Sequence, residues 1–97
     1  MDPNTLGRCV LNHEVLISFF THEWRSFDLL PALSRVTCRT FVLSGEDDPI
    51  TPIEDGEDIA AALPVATTRF ERFAACGHPV YEDDEERCFA TIREFLK

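Results

Sequence analysis

Thr40 to Ser44 reads TFVLS, a short β-branched and aromatic run that stops at Gly45. Its apolar residues are nearly continuous instead of alternating with polar ones. That is the pattern of a strand covered on both faces, as in a parallel sheet. Such a strand needs hydrogen-bonded neighbours at its edges and helices on its faces. Thr67 to Phe73 (TTRFERF) reads as a second strand, and the segment between them reads as a helix closed by Pro64. Strand, crossover helix and strand make one βαβ unit with parallel strands, right-handed by the general rule. The chain has 97 residues, enough for one small domain. Two parallel strands are too few to cover one another, so the pattern predicts α/β architecture at the edge of a larger, incomplete sheet.

The helical signals complete this outline. Thr51 reads as an N-cap, Pro52 as the first helical residue and Glu54 as the partner in a T-x-x-E capping box. Ile59, Ala62 and Leu63 supply the apolar side of that helix. Asp83 or Asp84 caps a last helix over Glu85 to Leu96, in which Cys88, Phe89, Ile92, Phe95 and Leu96 fall on one face. Near the start, Asn12 caps a helix running to about Trp24, with Val15, Leu16, Phe19 and Phe20 as its stripe. Phe19, Phe20 and Trp24 are expected to pack in a core instead of lining a pocket. Phe27, Leu29, Leu30 and Leu33 surround Pro31 in a turn with one or two helical turns. Residues 1–35 thus form a helical lead-in, and residues 36–97 carry the βαβα core segment.

Charge narrows the function classes. Nine basic residues against 18 acidic ones give a net charge of −9. A chain this acidic lacks the clustered Lys and Arg that bind phosphate backbones, so no nucleic-acid partner is expected. An anionic membrane surface is disfavoured for the same reason, and no apolar run approaches the ~18 residues of a membrane span. The opening MDPNTLGRCV carries neither the basic nor the apolar region of a secretory leader, so a cytoplasmic location is the default expectation. Cys9, Cys38, Cys76 and Cys88 match no zinc spacing and read as thiols, mostly small core residues.

Two side chains are placed for chemistry. Asp48 lies just past the C-terminal end of the first strand, and His78 just past that of the second. Catalytic groups gather at these ends in open parallel sheets, and adjacent strands lie about 5 Å apart. A carboxylate bonded to an imidazole fixes its tautomer and stabilises the imidazolium formed during general-base catalysis. Glu46 and Asp47 read as surface or turn charges. His13 and His22 are nine residues apart, share no helix face and read as surface or cap groups. In Glu54 to Asp58, placing Gly56 at position 6 of a calcium loop puts Ala62 where a glutamate is needed. Those acids read as a solvated helix face, and no metal or cofactor is expected.

Gly45-Glu46-Asp47-Asp48, followed by Pro49 to Pro52 and then by Gly77-His78 and a final helix, resembles the C-terminal end of the α/β-hydrolases. The nearest relatives in style are proline-iminopeptidase-like and ester-hydrolysing members. The resemblance covers residues 36–97 strongly; residues 10–35 look more weakly like the return from a helical cap. It implies that Asp48 is the acid and His78 the base of a Ser-His-Asp triad, in the chain order nucleophile, acid, base. Arg39 stands where proline is common. The larger departure is the nucleophile. None of Ser18, Ser26, Ser34 and Ser44 has the flanking glycines of a G-x-S-x-G elbow, and no HGG-like oxyanion segment is present. The resemblance therefore implies a C-terminal segment of a serine hydrolase acting on small ester, amide or peptide substrates, inactive by itself. Self-association, or pairing with a missing N-terminal half, is the expected partnership. The alternative is a non-catalytic interaction module that pairs through its sheet edge.

Overall fold

The computed structural model describes residue 7 and residues 9–97, so the first residues of the lead-in lie outside the described residues. Two strands, β1 (Thr40–Gly45) and β2 (Thr68–Phe73), pair in parallel in the register Thr40 with Thr68 through Gly45 with Phe73. Before them come α1 (His13–Ser18), a π-helical turn (Phe19–Glu23) and a 3₁₀ segment (Leu30–Arg35). Between the strands lie α2 (Ile53–Ala62) and a 3₁₀ turn (Val65–Thr67). After β2 come the short α3 (Val80–Asp83) and α4 (Glu85–Phe95).

The alternation of side chains along β1 sorts the helices onto two faces. Phe41, Leu43 and Gly45 share one face with their β2 partner Phe73. On that face Leu43 and Ile92 pack against a core of Phe73, Cys76, Val80 and Cys88, and Phe41 meets Phe95 edge to face at 5.0 Å. Ser44 and Phe70 point the other way, toward α2. A Cβ added to Gly56 would lie 2.0 Å from Ser44 Oγ and 3.3 Å from Phe70, so α2 sits directly on the strands at its glycine. The result is a thin sandwich of helix, two-stranded parallel sheet and helix. Residues 40–44 stay half-buried, and only Gly45 of β1 is buried. One face is covered by α2, the other by α3 and α4.

Several boundaries differ from the sequence reading. The first helix has the expected Asn12 cap, whose Oδ1 accepts the Val15 N–H at 3.1 Å. It then widens after Ser18 into the π turn, where the Trp24 N–H reaches Phe19 O at 2.8 Å. The aromatic residues there are not core. Phe20 and Trp24 are each 59% exposed; Phe19 meets Phe20, Trp24 and Phe27 edge to face, and Phe20 and Trp24 lie tilted against one another. The cysteines divide two and two. Cys76 and Cys88 are buried, whereas Cys9 and Cys38 are exposed, because both precede the packed layers. Among the described residues no helix is long and apolar enough to cross a membrane.

The tightest backbone approach lies at the end of β1. A Cβ on Gly45 would stand 2.2 Å from Gly77 O and 2.4 Å from Cys76 O, inside any tolerable contact and against backbone that cannot swing away. Replacing Gly45 with Ala should therefore push the 76–77 loop off β1 and cost about 2 kcal/mol of unfolding free energy. Urea denaturation checks this. An unchanged midpoint for Gly45→Ala means the two segments do not touch.

Candidate active site

The site is assembled by two loops that leave neighbouring strand ends and bind one another. Glu46 N–H donates to Phe73 O at 3.0 Å, and Asp47 N–H donates to Cys76 O at 2.9 Å. Asp48 N–H turns back to Gly45 O at 3.3 Å, closing a tight turn over Gly45–Asp48. On the other loop Ala75 adopts a left-handed φ of 60°, which reverses the chain. Gly77 N–H is then held by Asp83 Oδ2 at 2.8 Å, and Val80 N–H donates to His78 O at 3.1 Å. Of the two residues expected as caps, Asp84 caps α4 through the Arg87 N–H at 3.3 Å, while Asp83 braces the histidine loop. Burial pushes the Cys76 thiol above its ordinary value, with the charges of Asp84 and Asp83 adding to the effect, so it stays a neutral packing group under the loop.

These loops bring Asp48 and His78 together, with His78 Nδ1 2.9 Å from Asp48 Oδ2. The pair is asymmetric: the Asp48 side chain is 6% exposed and that of His78 is 52% exposed. Asp48 is held by four donors. Oδ1 accepts the N–H groups of Ile50 at 2.8 Å and Thr51 at 3.0 Å. Oδ2 takes the Thr51 hydroxyl at 2.8 Å besides the imidazole. The proline at 49 has no N–H, so the nearest backbone donors are those two and three residues on. A carboxylate has about four lone-pair sites, and all are used. Burial raises the carboxyl's proton affinity, but the donors, led by the Thr51 N–H and the imidazole, outweigh it and hold Asp48 well below the usual carboxylate range.

An ionised carboxylate only accepts, so His78 Nδ1 carries the proton and donates it to Asp48. Its Nε2 is left with a lone pair on an accessible ring. Chemically this is an oriented imidazole that can take a proton at Nε2 and share the resulting charge with a buried anion.

The other charged candidates are elsewhere. Glu46 pairs with Arg72 at 3.5 Å, and Glu57 of α2 pairs with the same guanidinium. His13 and His22 are exposed on the lead-in. The capping-box reading of Thr51 and Glu54 is overturned. Pro52 occupies the cap position without a side-chain bond, and helix α2 starts at Ile53. Thr51 instead donates both its N–H and its hydroxyl to the Asp48 carboxylate, whereas as a cap its hydroxyl oxygen would have accepted a helix N–H. Thr51 is the site residue that the sequence reading missed. Its signal was the spacing of three residues after Asp48, which also fits a helix cap.

No protein-family model matches this chain, and no curated protein matches it. Among solved structures it is similar to a thermophilic esterase from Thermogutta terrifontis, determined with malate bound. The two share 33% sequence identity at a TM-score of 0.66, over 71% of this chain and 25% of the esterase chain. The two-stranded parallel sheet with its helices thus matches a fragment of an esterase-like fold. The chain spans about a quarter of the length of that esterase.

The depressed proton affinity of Asp48 has a pH signature. The ordinary aspartate value is 3.8, and the folded-state value lies below it. Asp48 therefore adds stability that is fully present above about pH 4 and is lost as pH falls through its folded value. In urea denaturation at a series of pH values, wild type should exceed Asp48→Asn at neutral pH. The gap should close steadily below about pH 4. A gap that is independent of pH contradicts the assignment.

Proposed function

We propose that this chain is the acid-and-base segment of a serine esterase, with His78 as general base and Asp48 as the anion that orients it. The observation carrying the reading is the 2.9 Å contact between a buried Asp48 and an accessible His78 at the C-terminal ends of adjacent parallel strands. The likeness to a solved esterase supports the reaction class. In this reading a serine hydroxyl from chain outside these 97 residues attacks the ester carbonyl and passes its proton to His78 Nε2. The imidazolium, stabilised by Asp48, returns that proton to the leaving alkoxide. Water then repeats the cycle to release the acid. Amide and peptide bonds require the same proton transfers.

The surroundings bear on substrate type. An open groove of about 630 Å³ lies between the 3₁₀ segment Leu30–Arg35 and α2, and Thr51 belongs both to it and to the Asp48 cluster. Phe27, Leu30, Leu33 and Ile59 make it apolar, and Asp55 and Asp58 border it. Such a groove suits an apolar acyl or alcohol group and repels an anionic one. The expected partner is the remainder of the sheet. The exposure of Val15, Ile17, Phe20 and Trp24 favours a second reading, a module that assembles through its edge and apolar lead-in without catalysis.

Hydrolysis of an activated ester separates these readings from independent activity. The purified chain should release product no faster than its His78→Ala variant, and a fluorophosphonate should label no serine. Saturable turnover that disappears in His78→Ala sinks the proposal that the serine lies outside these residues. Sedimentation equilibrium tests the edge-pairing module, which a folded, concentration-independent monomer contradicts.

A further inference from the structure

We infer that Thr51 is a positioning residue that clamps both oxygens of the Asp48 carboxylate and thereby commits His78 to one tautomer. Two donors of this single residue reach the two oxygens: the Thr51 N–H bonds Oδ1 at 3.0 Å and its hydroxyl bonds Oδ2 at 2.8 Å. A carboxylate held at both ends by one rigid residue cannot rotate about its terminal torsion, which is otherwise soft. Rigidity follows from the sequence. Threonine is β-branched and stiff at χ1, and Pro52 restricts the backbone of the residue before it.

The same hydroxyl lies 3.3 Å from His78 Nδ1, and one proton decides what that contact can be. The hydroxyl proton points to Asp48 Oδ2, so toward the imidazole Thr51 presents only a lone pair. Asp48 Oδ2 also presents only lone pairs. Both neighbours of Nδ1 therefore demand a proton there, and a bare Nδ1 would face two acceptors. If Thr51 turned its proton to Nδ1 instead, Oδ2 would lose a donor and confront an unprotonated nitrogen. The Nδ1–H tautomer is thus specified twice, by the aspartate and by the threonine, and Nε2 is left free to act as a base.

The catalytic meaning of this clamp rests on the esterase reading, but the clamp is a property of the chain itself. It is therefore tested without turnover, by nitrogen-15 and carbon-13 NMR of the full chain. In wild type, at a pH where the ring is neutral, His78 should show a protonated Nδ1 and a bare Nε2. Thr51→Ser keeps the hydroxyl and should retain both signatures. Thr51→Val keeps the shape and the backbone N–H but removes the hydroxyl. It should show a raised fraction of the Nε2–H tautomer, since Asp48 alone then specifies Nδ1–H, and an upward displacement of the Asp48 carboxyl titration, with strand and helix shifts unchanged. A Thr51→Val chain that keeps the single tautomer and the wild-type Asp48 titration overturns the inference. So does a wild-type chain whose His78 is protonated at Nε2, and this measurement decides the matter even if Thr51→Val does not fold. Neither outcome depends on whether the chain ever meets a serine.

Discussion

The structure turns on the contact between the end of β1 and the loop that follows β2. Gly45 has no side chain, so the carbonyls of Cys76 and Gly77 can lie over it, and Asp47 N–H seals the approach to Cys76 O. Neither strand end could otherwise deliver its loop to the other at hydrogen-bonding range. The β1–β2 pairing sets the strand spacing, but Asp48 and His78 lie three and five residues beyond the strand ends. Only a close backbone crossing keeps such loops from splaying. Ala75, in its left-handed conformation, and Asp83, which holds Gly77 N–H, give the crossing its shape from the other side.

Electrostatics then divide the work at the site. Asp48 is nearly buried, and four donors fill its lone-pair sites, so its charge is kept by hydrogen bonds despite desolvation. His78 sits outside it, accessible, with one nitrogen engaged and one available. A carboxylate fixed by four hydrogen bonds is a better orienting group than a freely turning one, since its lone pairs keep one direction. This arrangement needs the turn Gly45–Asp48, Thr51 and the histidine loop.

Packing is thinner than the chemistry. The buried core consists chiefly of Phe73, Cys76, Val80 and Cys88, with Leu43 and Ile92 against it. The strand residues remain half-buried, and large apolar side chains of the lead-in, Trp24 and Phe20 among them, stand in solvent. This two-stranded parallel sheet, with α2 on one face and α3 and α4 on the other, is the part that matches a fragment of the esterase-like fold.

The order of strand, crossover helix, strand and last helix was legible in the sequence. So was the position of Asp48 and His78 just past the strand ends. The apolar run at Thr40, the proline at 64 and the spacing of Cys88, Ile92 and Phe95 are local signals tied to backbone period, and a sequence displays those directly. Three things were not legible. The exposure of Phe20 and Trp24 depends on which layers are present to cover them, and local periodicity is silent on that. The split roles of Asp83 and Asp84 depend on where the loop at Gly77 passes. Thr51 has the same spacing for a helix cap as for an aspartate clamp, and the choice between them rests on burial. By itself the sequence determined the elements and the two residues at their ends. The tertiary structure decided that the Asp48 carboxylate is shielded and fully bonded, because proximity between loops 30 residues apart in the chain is set by a backbone crossing that no local pattern encodes.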